Sequence, residues 1–257
     1  MKIISFFLFG IYIAACFYLY FIQNQKIFNR KWAKPYTPKK AKIIYFKTSD
    51  GVKLEGAYTK NAEFLPLVLY FGGNANNVIE FLDKIAPKIK GFNFLGFNYP
   101  GYAGSEGTPS EKKILKYASE IFKKYRPDFV IGRSLGTAVA AYLASKYKFK
   151  GLLLITPFDS IEHIAKIKYP LFPIDLLLKY KFKEAEFIKK SGIPTVVIAL
   201  KNDDIIPKVC LENLLKNIRN LKDIIWLDGV KHGEIYTYPD IYKIIRNSLE
   251  KLNKNEY

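Results

Sequence analysis

The residues most able to do chemistry form a short run, GRSLG at positions 132–136, in which Ser134 lies between two glycines. An apolar, strand-like run precedes it at 128–131, and an alanine-rich, helix-like run follows it at 137–144. A strand that turns sharply into a helix presents the serine at a strained apex, and glycines leave space that side chains would block. The helix N-terminus favours the negative charge that develops during acyl transfer. The pattern predicts a nucleophilic serine, with an ordinary glycine-flanked turn as the alternative until partners are found.

A serine hydroxyl is a weak nucleophile at neutral pH and needs a base to remove its proton. The chain contains two histidines, His163 and His232. His232 lies in a glycine-flanked loop, DGVKHG at 228–233, after the last predicted strand and before the C-terminal helix. Hydrolases with this type of serine turn take their base from that final loop. We therefore predict His232 as the general base and His163 as a surface or lid residue, with a substrate contact of His163 as the alternative.

The base in turn needs a carboxylate that holds its tautomer. The run NDDIIP at 202–207 follows a predicted strand and lies between the serine and the histidine in the chain. It offers two candidates, and we favour Asp203 because it comes first after the strand while the isoleucines turn back to pack. Asp204 remains the alternative. The order Ser134, Asp203, His232 matches the order that is known for this class of hydrolase.

The negative oxygen of an acyl-transfer intermediate also needs backbone N–H donors. One donor is the amide of Leu135, directly after the serine, and the other should come from the loop FGGNANN at 71–77, after the first predicted parallel strand. The glycines of this loop let the backbone approach a reacting carbonyl closely. An ordinary glycine- and asparagine-rich turn is the alternative.

No run of the sequence has the features of a cofactor site. Cysteine, histidine and acidic residues do not show the spacing of a metal site, and neither a phosphate-binding Gly-x-x-x-x-Gly-Lys nor a dinucleotide fingerprint is present. We therefore predict no cofactor and no metal.

The elements that must position these residues alternate between strands and helices. A β-hairpin with its turn at 49–51 precedes repeated strand–helix units, a pattern typical of a mostly parallel sheet covered by helices on both faces. The predicted strands are 43–48, 52–59, 67–71, 92–98, 129–133, 152–156, 195–200 and 224–227, and the predicted helices are 77–89, 110–125, 135–147, 208–218 and 239–252. The segment 157–192 interrupts the alternation and is predicted to be a small lid, with a plain surface helix as the alternative.

The N-terminus predicts a membrane anchor. No charged residue occurs between Lys2 and Lys26, and the 20 apolar residues 3–22 are long enough, as a helix, to span about 30 Å of hydrocarbon. A cleaved signal peptide and a lipoprotein signal at Cys16 are the alternatives, but no small-residue cleavage site follows and the apolar run continues after the cysteine. We predict an anchor at 1–25, a basic linker at 26–40 and one catalytic domain at 41–257.

The chain is strongly basic, with 41 Lys and Arg against 23 Asp and Glu and a net charge of +18. The lysines occur in almost every segment rather than in one stripe, so we predict no nucleic-acid binding and favour contact with an acidic membrane face. Basic residues follow the anchor at 26, 30, 31, 34, 39 and 40, which favours a cytoplasmic catalytic domain. The two cysteines, Cys16 and Cys210, provide no disulfide framework.

These motifs resemble those of the α/β-hydrolase superfamily and, within it, of a membrane-anchored, serine-aminopeptidase-like subgroup whose animal relatives include protein depalmitoylases. The run FGGNA at 71–75 is similar to the subgroup's oxyanion segment. The run NYPGYAGSEGTPS at 98–110 is similar to the subgroup's Asp-Tyr-Arg-Gly-Tyr-Gly-x-Ser-x-Gly-x-Pro-Ser turn, from which it departs at residues 98, 100 and 103. The resemblance implies an eight-stranded sheet, Asn74 as the second oxyanion donor, and Gly73 and Phe158 as pocket-lining residues.

Together these observations predict a membrane-anchored serine hydrolase that cleaves a carboxylic ester or thioester through an acyl-enzyme. The expected partners are a small-molecule or acylated substrate and membrane lipid. A peptidase or amidase of the same fold, and a non-catalytic membrane-bound scaffold, are the alternative functions. The fold alone does not choose the substrate, because this architecture supports many reactions.

Overall fold

A central sheet of eight strands organises the chain, of which the computed structural model describes residues 2–254. The strand order is β1-β2-β4-β3-β5-β6-β7-β8. β1 and β2 form the predicted antiparallel hairpin, β2 pairs antiparallel with β4, and every later pairing is parallel. The strands are β1 Lys42–Lys47, β2 Lys53–Thr59, β3 Leu67–Phe71, β4 Asn93–Phe97, β5 Phe129–Arg133, β6 Gly151–Ile155, β7 Thr195–Leu200 and β8 Leu221–Leu227.

Helices cover both faces of the sheet, as predicted. They are α1 Lys2–Ile27, α2 Val78–Lys84, α3 Glu111–Tyr125, α4 Leu135–Ala144, α5 Ile161–Lys168, α6 Ile174–Leu177, α7 Glu184–Ile188, α8 Lys208–Leu215 and α9 Ile241–Asn253, with 3-10 turns at Arg30–Trp32, Ala86–Lys88 and His232–Thr237. Since successive strand residues point to opposite faces, Val130 packs with α3, α4 and α8, whereas Phe129 and Ile131 pack with α2 and α9.

The observed bounds differ from the predicted ones mainly at element ends. The predicted helix 77–89 becomes α2 followed by a 3-10 turn, because Pro87 lacks the N–H that would continue an α-helix. β8 begins three residues earlier than predicted, since Leu221 already pairs with Thr195. These differences leave the loops at the carboxyl ends of the strands where the pattern placed them.

α1 is an apolar helix whose first half projects from the domain. Among the described residues it lies in the one helical stretch, Ser5–Trp32, that is long and apolar enough to cross a membrane, with a mean hydropathy of 2.0. Large side chains in this half such as Phe6, Phe7 and Phe9 are 82%, 69% and 62% exposed. Its second half docks on the domain, where Asn24 Nδ2 donates to Pro109 O at 3.1 Å.

The segment 26–40, which we expected to be a basic linker, is folded against the domain. Phe28 is 1% exposed and contacts Tyr180 and Phe182, with ring centroids 5.0 and 6.1 Å apart. Farther along, the buried carboxylate of Asp83 accepts hydrogen bonds from Tyr36 Oη and from the amides at 39–41. α1 is therefore joined to the domain through a segment that is held by packing and hydrogen bonds.

Phe28→Ala is expected to loosen this junction. Removing a fully buried phenyl ring costs about 3–5 kcal/mol of unfolding free energy, whereas Trp32→Ala, at a site 69% exposed, should change it by less than about 0.5 kcal/mol. Denaturant unfolding of both variants in the same detergent would measure the difference. Equal stabilities would contradict the tight docking of segment 26–40.

Candidate active site

Ser134 occupies a strained turn between β5 and α4. Its backbone has φ 49° and ψ −122°, in the positive-φ region that non-glycine residues rarely adopt. The flanking glycines are sterically required, because a Cβ at Gly132 would lie 2.4 Å from Gly136 O and one at Gly136 would lie 2.3 Å from Phe71 O. Although Ser134 is the N-cap residue of α4, its side chain makes no capping hydrogen bond. The hydroxyl is thereby left for another partner.

That partner is His232. Its Nε2 lies 2.9 Å from Ser134 Oγ, and its Nδ1 lies 2.9 and 3.1 Å from the two carboxylate oxygens of Asp203. Ser134, Asp203 and His232 follow β5, β7 and β8, so all three lie where the parallel strands end at the same edge of the sheet. The structure thus brings the three residues into one hydrogen-bonded chain.

The environment of Asp203 favours its ionised form. Burial by itself raises the pKa of this carboxyl, but hydrogen bonds from His232 and from the amides of Ile206 and Ile205 more than offset that effect, so the pKa lies below its ordinary value. Asp204, the alternative, instead accepts a hydrogen bond from the backbone N–H of His232 at 2.9 Å. Asp203 therefore contacts the imidazole ring, and Asp204 fixes the backbone of the loop that carries it.

His163 lies apart from this arrangement. Its Nδ1 is 2.5 Å from Asp159 Oδ2, which also accepts from Asn213 Nδ2 at 2.7 Å. Asp159, His163 and Cys210 bring three potential ligand atoms within 4.8 Å of one another, a group that the sequence spacing did not reveal. Burial raises the pKa of the Cys210 thiol to about 12, and the nearby charge of Asp159 adds to this rise. The contacts observed here are hydrogen bonds that hold the start of α5.

Two predicted oxyanion donors, Leu135 and Asn74, line the cavity beside Ser134. Leu135 is the first residue of α4, so its N–H has no acceptor within the helix. The loop that carries Asn74 is held by two buried tyrosines, since Tyr99 Oη donates to Gly72 O at 2.8 Å and Tyr102 Oη donates to Asn74 O at 2.9 Å. Burial raises the pKa of both phenols, which keeps them protonated donors.

Arg133 links the two loops that flank the serine. Its guanidinium donates from Nη1 to Asn76 Oδ1 at 2.5 Å and from Nη2 to the backbone carbonyl of His232 at 2.6 Å, and the residue is only 4% exposed. Gly73, predicted to line the pocket, is not among the residues that line the cavity. A Cβ there would lie 2.5 Å from Arg133 Nη1, so its missing side chain instead leaves room for the guanidinium.

Beneath the serine lies a buried carboxyl group. Thr137 Oγ1 is 2.6 Å from both Ser134 O and Glu184 Oε2, and Glu184 is completely buried. Burial raises the pKa of Glu184 well above its ordinary value of 4.5, and the nearby charge of Asp159 adds to this rise. A protonated Glu184 can donate to the threonine hydroxyl, which then donates to the serine carbonyl.

A cavity of about 290 Å³ opens above Ser134. Its walls come from the second half of α1, from α5 and α6, and from the loops after β3, β5, β6 and β7, and they are mostly apolar. The lining residues are Leu19, Ile22, Gln23, Lys26, Ile27, Asn74, Ser134, Leu135, Phe158, Ile161, Ile164, Ala165, Lys168, Tyr169, Ile174, Leu177, Leu178, Ile205 and Ile206. Phe158 is among the lining residues, and the segment 157–192 forms one wall of the cavity.

Three functional features escaped the sequence reasoning. Arg133 lies inside the predicted serine motif but carries no sign of its contacts, and Tyr99 and Tyr102 were expected only to shape a turn. The contribution of α1 to the cavity was also missed. A signal that could have found it is the pair Gln23 and Asn24, since these polar side chains follow the apolar run and both donate hydrogen bonds to the domain.

No family model matches the chain, but individual proteins are similar to it in sequence. An uncharacterized protein of Mycobacterium tuberculosis, Rv2307c, is 30% identical over 74% of this chain and 72% of its own length. An uncharacterized membrane protein of Saccharomyces cerevisiae, YNL320W, is 28% identical over 90% of both chains. The rat lysophosphatidylserine lipase ABHD12 is 28% identical over 72% of this chain, which spans 56% of that relative.

Solved structures share the fold. An esterase of Pyrococcus furiosus, Pf2001, superposes with a TM-score of 0.61 at 20% identity over 85% of this chain and 98% of its own. An α/β hydrolase from Novosphingobium aromaticivorans superposes with a TM-score of 0.62 at 16% identity, over 84% of this chain and 100% of its own. The chain belongs to the α/β-hydrolase superfamily. Two observations support membrane association of this hydrolase. Its own helix α1 is long and apolar, and its yeast relative is named as a membrane protein.

The buried Glu184 predicts a pH dependence of stability. Below about pH 4.5 both the folded and the unfolded protein bind its proton, but at higher pH the unfolded chain releases the proton while the folded one retains it, so folding loses stability as pH rises toward the folded-state pKa. Each unit of difference between the two pKa values is worth about 1.4 kcal/mol.

Glu184→Gln keeps the shape and a donor for Thr137 but does not titrate. The variant should therefore gain stability relative to the parent as pH rises from about 4.5 to 7.5, with the two curves converging in acid. Thermal unfolding of both proteins in detergent across this range measures the difference. A gap that is independent of pH would show that Glu184 is already ionised in the folded protein.

Proposed function

We propose that this hydrolase is a membrane-anchored serine hydrolase that cleaves a carboxylic ester or thioester of an acylated substrate. The observation that carries the proposal is the hydrogen-bonded chain from Asp203 through His232 to Ser134, with Nε2 of the imidazole 2.9 Å from the serine oxygen. Nucleophile, base and orienting carboxylate are thus in contact, which is the geometry that acyl transfer requires.

The reaction proceeds in two halves. His232 Nε2 takes the hydroxyl proton as Ser134 Oγ bonds to the substrate carbonyl carbon, and Asp203 stabilises the resulting imidazolium at Nδ1. The carbonyl oxygen becomes negative and accepts hydrogen bonds from the amides of Leu135 and Asn74. Collapse expels the alcohol or thiol, which receives the proton from His232. A water molecule then repeats the sequence on the acyl-enzyme and releases the acid.

The character of the cavity supports an acyl substrate. Its lining is dominated by aliphatic side chains of α1, α5 and α6, and Ser134 lies on its wall. The rat relative is named as a lipase of a lysophospholipid, and the fold neighbour from Pyrococcus furiosus is named as an esterase. Both names favour an ester substrate for this chain over a peptide.

Ser134→Ala tests the proposal. Loss of the nucleophile should reduce hydrolysis of acyl esters by at least about 10⁴-fold and abolish covalent labelling by a fluorophosphonate. Ser145→Ala is the matched control, because Ser145 follows the far end of α4 and bonds only to Tyr142 O through its side chain. Persistent labelling of the Ser134→Ala protein would refute the serine mechanism, and preferred turnover of aminoacyl amides over esters would identify a peptidase instead.

We also infer that the catalytic domain faces the cytoplasm, since six basic residues at 26–40 follow the apolar run. Phe64→Cys places a thiol at a site that is fully exposed, while the native Cys16 and Cys210 are buried. An impermeant maleimide should label this variant only after the cells are permeabilised. Labelling of intact cells to the same extent would place the domain on the other side.

A further inference from the structure

The second half of α1 forms a wall of the cavity that contains Ser134. Leu19, Ile22 and Ile27 line it from one side, and Ile174, Leu177 and Leu178, in or next to α6, are among the residues that line it from the lid segment. A helix that serves only as a tether has no reason to complete an active-site cavity. The position of α1 therefore ties the geometry of this cavity to the geometry of the membrane.

Contacts along α1 show how the lid segment is arranged beside it. Near the middle of the helix, Tyr12 Oη donates to Leu171 O at 3.0 Å and the Tyr12 ring stacks on Phe172 at 5.7 Å. Near its end, Gln23 Nε2 donates to Leu177 O at 3.0 Å and Gln23 Oε1 accepts from the amide of Lys179 at 2.7 Å. The lid tip, residues 169–173, is thus level with Tyr12, and residues 177–179 are level with Gln23.

The rise per residue of an α-helix converts the positions of Tyr12 and Gln23 along α1 into depths in a membrane. Tyr12 and Gln23 are separated by about 16 Å along the axis at 1.5 Å per residue, which is about half of a hydrocarbon core of about 30 Å. If the apolar run 3–22 spans that core, Gln23 lies near its surface. The lid tip then lies inside the leaflet rather than in water.

The composition of the lid segment fits such an environment. Leu171 and Leu176 are 81% and 83% exposed, although apolar groups of this size are normally withdrawn from water. The only charged residue within 169–178 is Asp175, whose carboxylate is 2.6 Å from Lys166 Nζ. Leucines that face solvent in the isolated chain would face lipid in the membrane.

We propose that the lid segment 169–177 is embedded in the leaflet beside α1, and that the cavity between them is an acyl-chain site which a membrane lipid enters directly from that leaflet. The volume of about 290 Å³ is near the lower limit of about 300 Å³ for small-molecule pockets. A chain held between α1 and α6 presents its ester carbonyl to Ser134. This assignment rests on the proposed serine hydrolase activity for its chemistry, but its membrane geometry is independent of that activity.

Depth-dependent fluorescence quenching tests the embedding. The full chain carries Trp32→Phe and Trp226→Phe, together with either Leu171→Trp or Phe64→Trp, and is reconstituted into phosphatidylcholine vesicles whose acyl chains are brominated. Phe64 is the matched control, because it is fully exposed and precedes β3, so it lies at the sheet edge opposite Ser134. Since only tryptophan within the hydrocarbon meets the bromine atoms, quenching at 171 should exceed quenching at 64 by at least about threefold. Equal quenching would overturn the proposal.

A larger side chain on α1 that fills part of the cavity tests the acyl-chain site. Ile22→Trp enlarges a residue that lines the cavity, whereas Phe21→Trp makes a similar ring substitution on a side chain that is 71% exposed and does not line it. Ile22→Trp should raise the ratio of kcat/KM for a two-carbon acyl ester to kcat/KM for a sixteen-carbon acyl ester by at least about tenfold, and Phe21→Trp should leave it unchanged. An unchanged ratio in Ile22→Trp, with fluorophosphonate labelling intact, would exclude α1 from the acyl site.

The two proposals fail in different ways. If Ser134→Ala retains activity, the serine mechanism is wrong, whatever the quenching at position 171 shows. If Ser134→Ala is inactive but quenching is equal at 171 and 64, the enzyme is a serine hydrolase whose substrate arrives from water. A response of both substrates to Ile22→Trp by the same factor would likewise indicate a general distortion and contradict the acyl-chain site.

Discussion

The sheet edge that carries Ser134 depends on the close approach of backbone segments where β3, β5 and α4 meet. Gly136 lies so near the carbonyl of Phe71 that no side chain fits between them, and Gly132 is equally close to Gly136. This approach brings the first turn of α4 against the loop after β3. It also forces Ser134 into its positive-φ conformation, which holds the hydroxyl away from the helix and toward His232. The strain is thus a consequence of the same packing that assembles the site.

Close packing alone does not fix the loops, and buried polar side chains supply the remaining constraints. Arg133 joins the loop after β3 to the loop after β8 through two hydrogen bonds from one guanidinium, a planar group suited to hold two acceptors in a fixed relation. Tyr99 and Tyr102 hold the carbonyls of Gly72 and Asn74, and Asp204 holds the amide of His232. Each of these groups forms a hydrogen bond with one of the loops around Ser134. The loops are therefore fixed by residues that lie outside the hydrogen-bonded chain of Ser134, His232 and Asp203.

The sequence predicted the elements that obey local rules. Buried strands, their order of appearance, the turn at Ser134 and the loop of His232 all carry patterns of periodicity and glycine placement, and the eight-stranded sheet agrees with them. Contacts between distant segments carry no such pattern. Asp203 and Asp204 are adjacent and chemically identical, so only the three-dimensional path of the loop separates ring contact from backbone contact. The same holds for Gly73, whose missing side chain serves Arg133 rather than the cavity, and for Phe28, whose burial no local pattern in a basic segment indicates.

α1 illustrates how one helix can satisfy two environments. Its first half exposes phenylalanines on all sides, which lipid tolerates, whereas its second half carries Gln23 and Asn24, whose side chains would be costly in hydrocarbon without partners. Both side chains form hydrogen bonds with the domain, and these bonds dock the second half of α1 beside the cavity that contains Ser134. Because Gln23 and its neighbours Ile22 and Lys26 line the cavity, any tilt of α1 relative to the domain changes the shape of the space above Ser134. The helix and the cavity therefore form one packed unit, in which the position of α1 sets the width of the cavity.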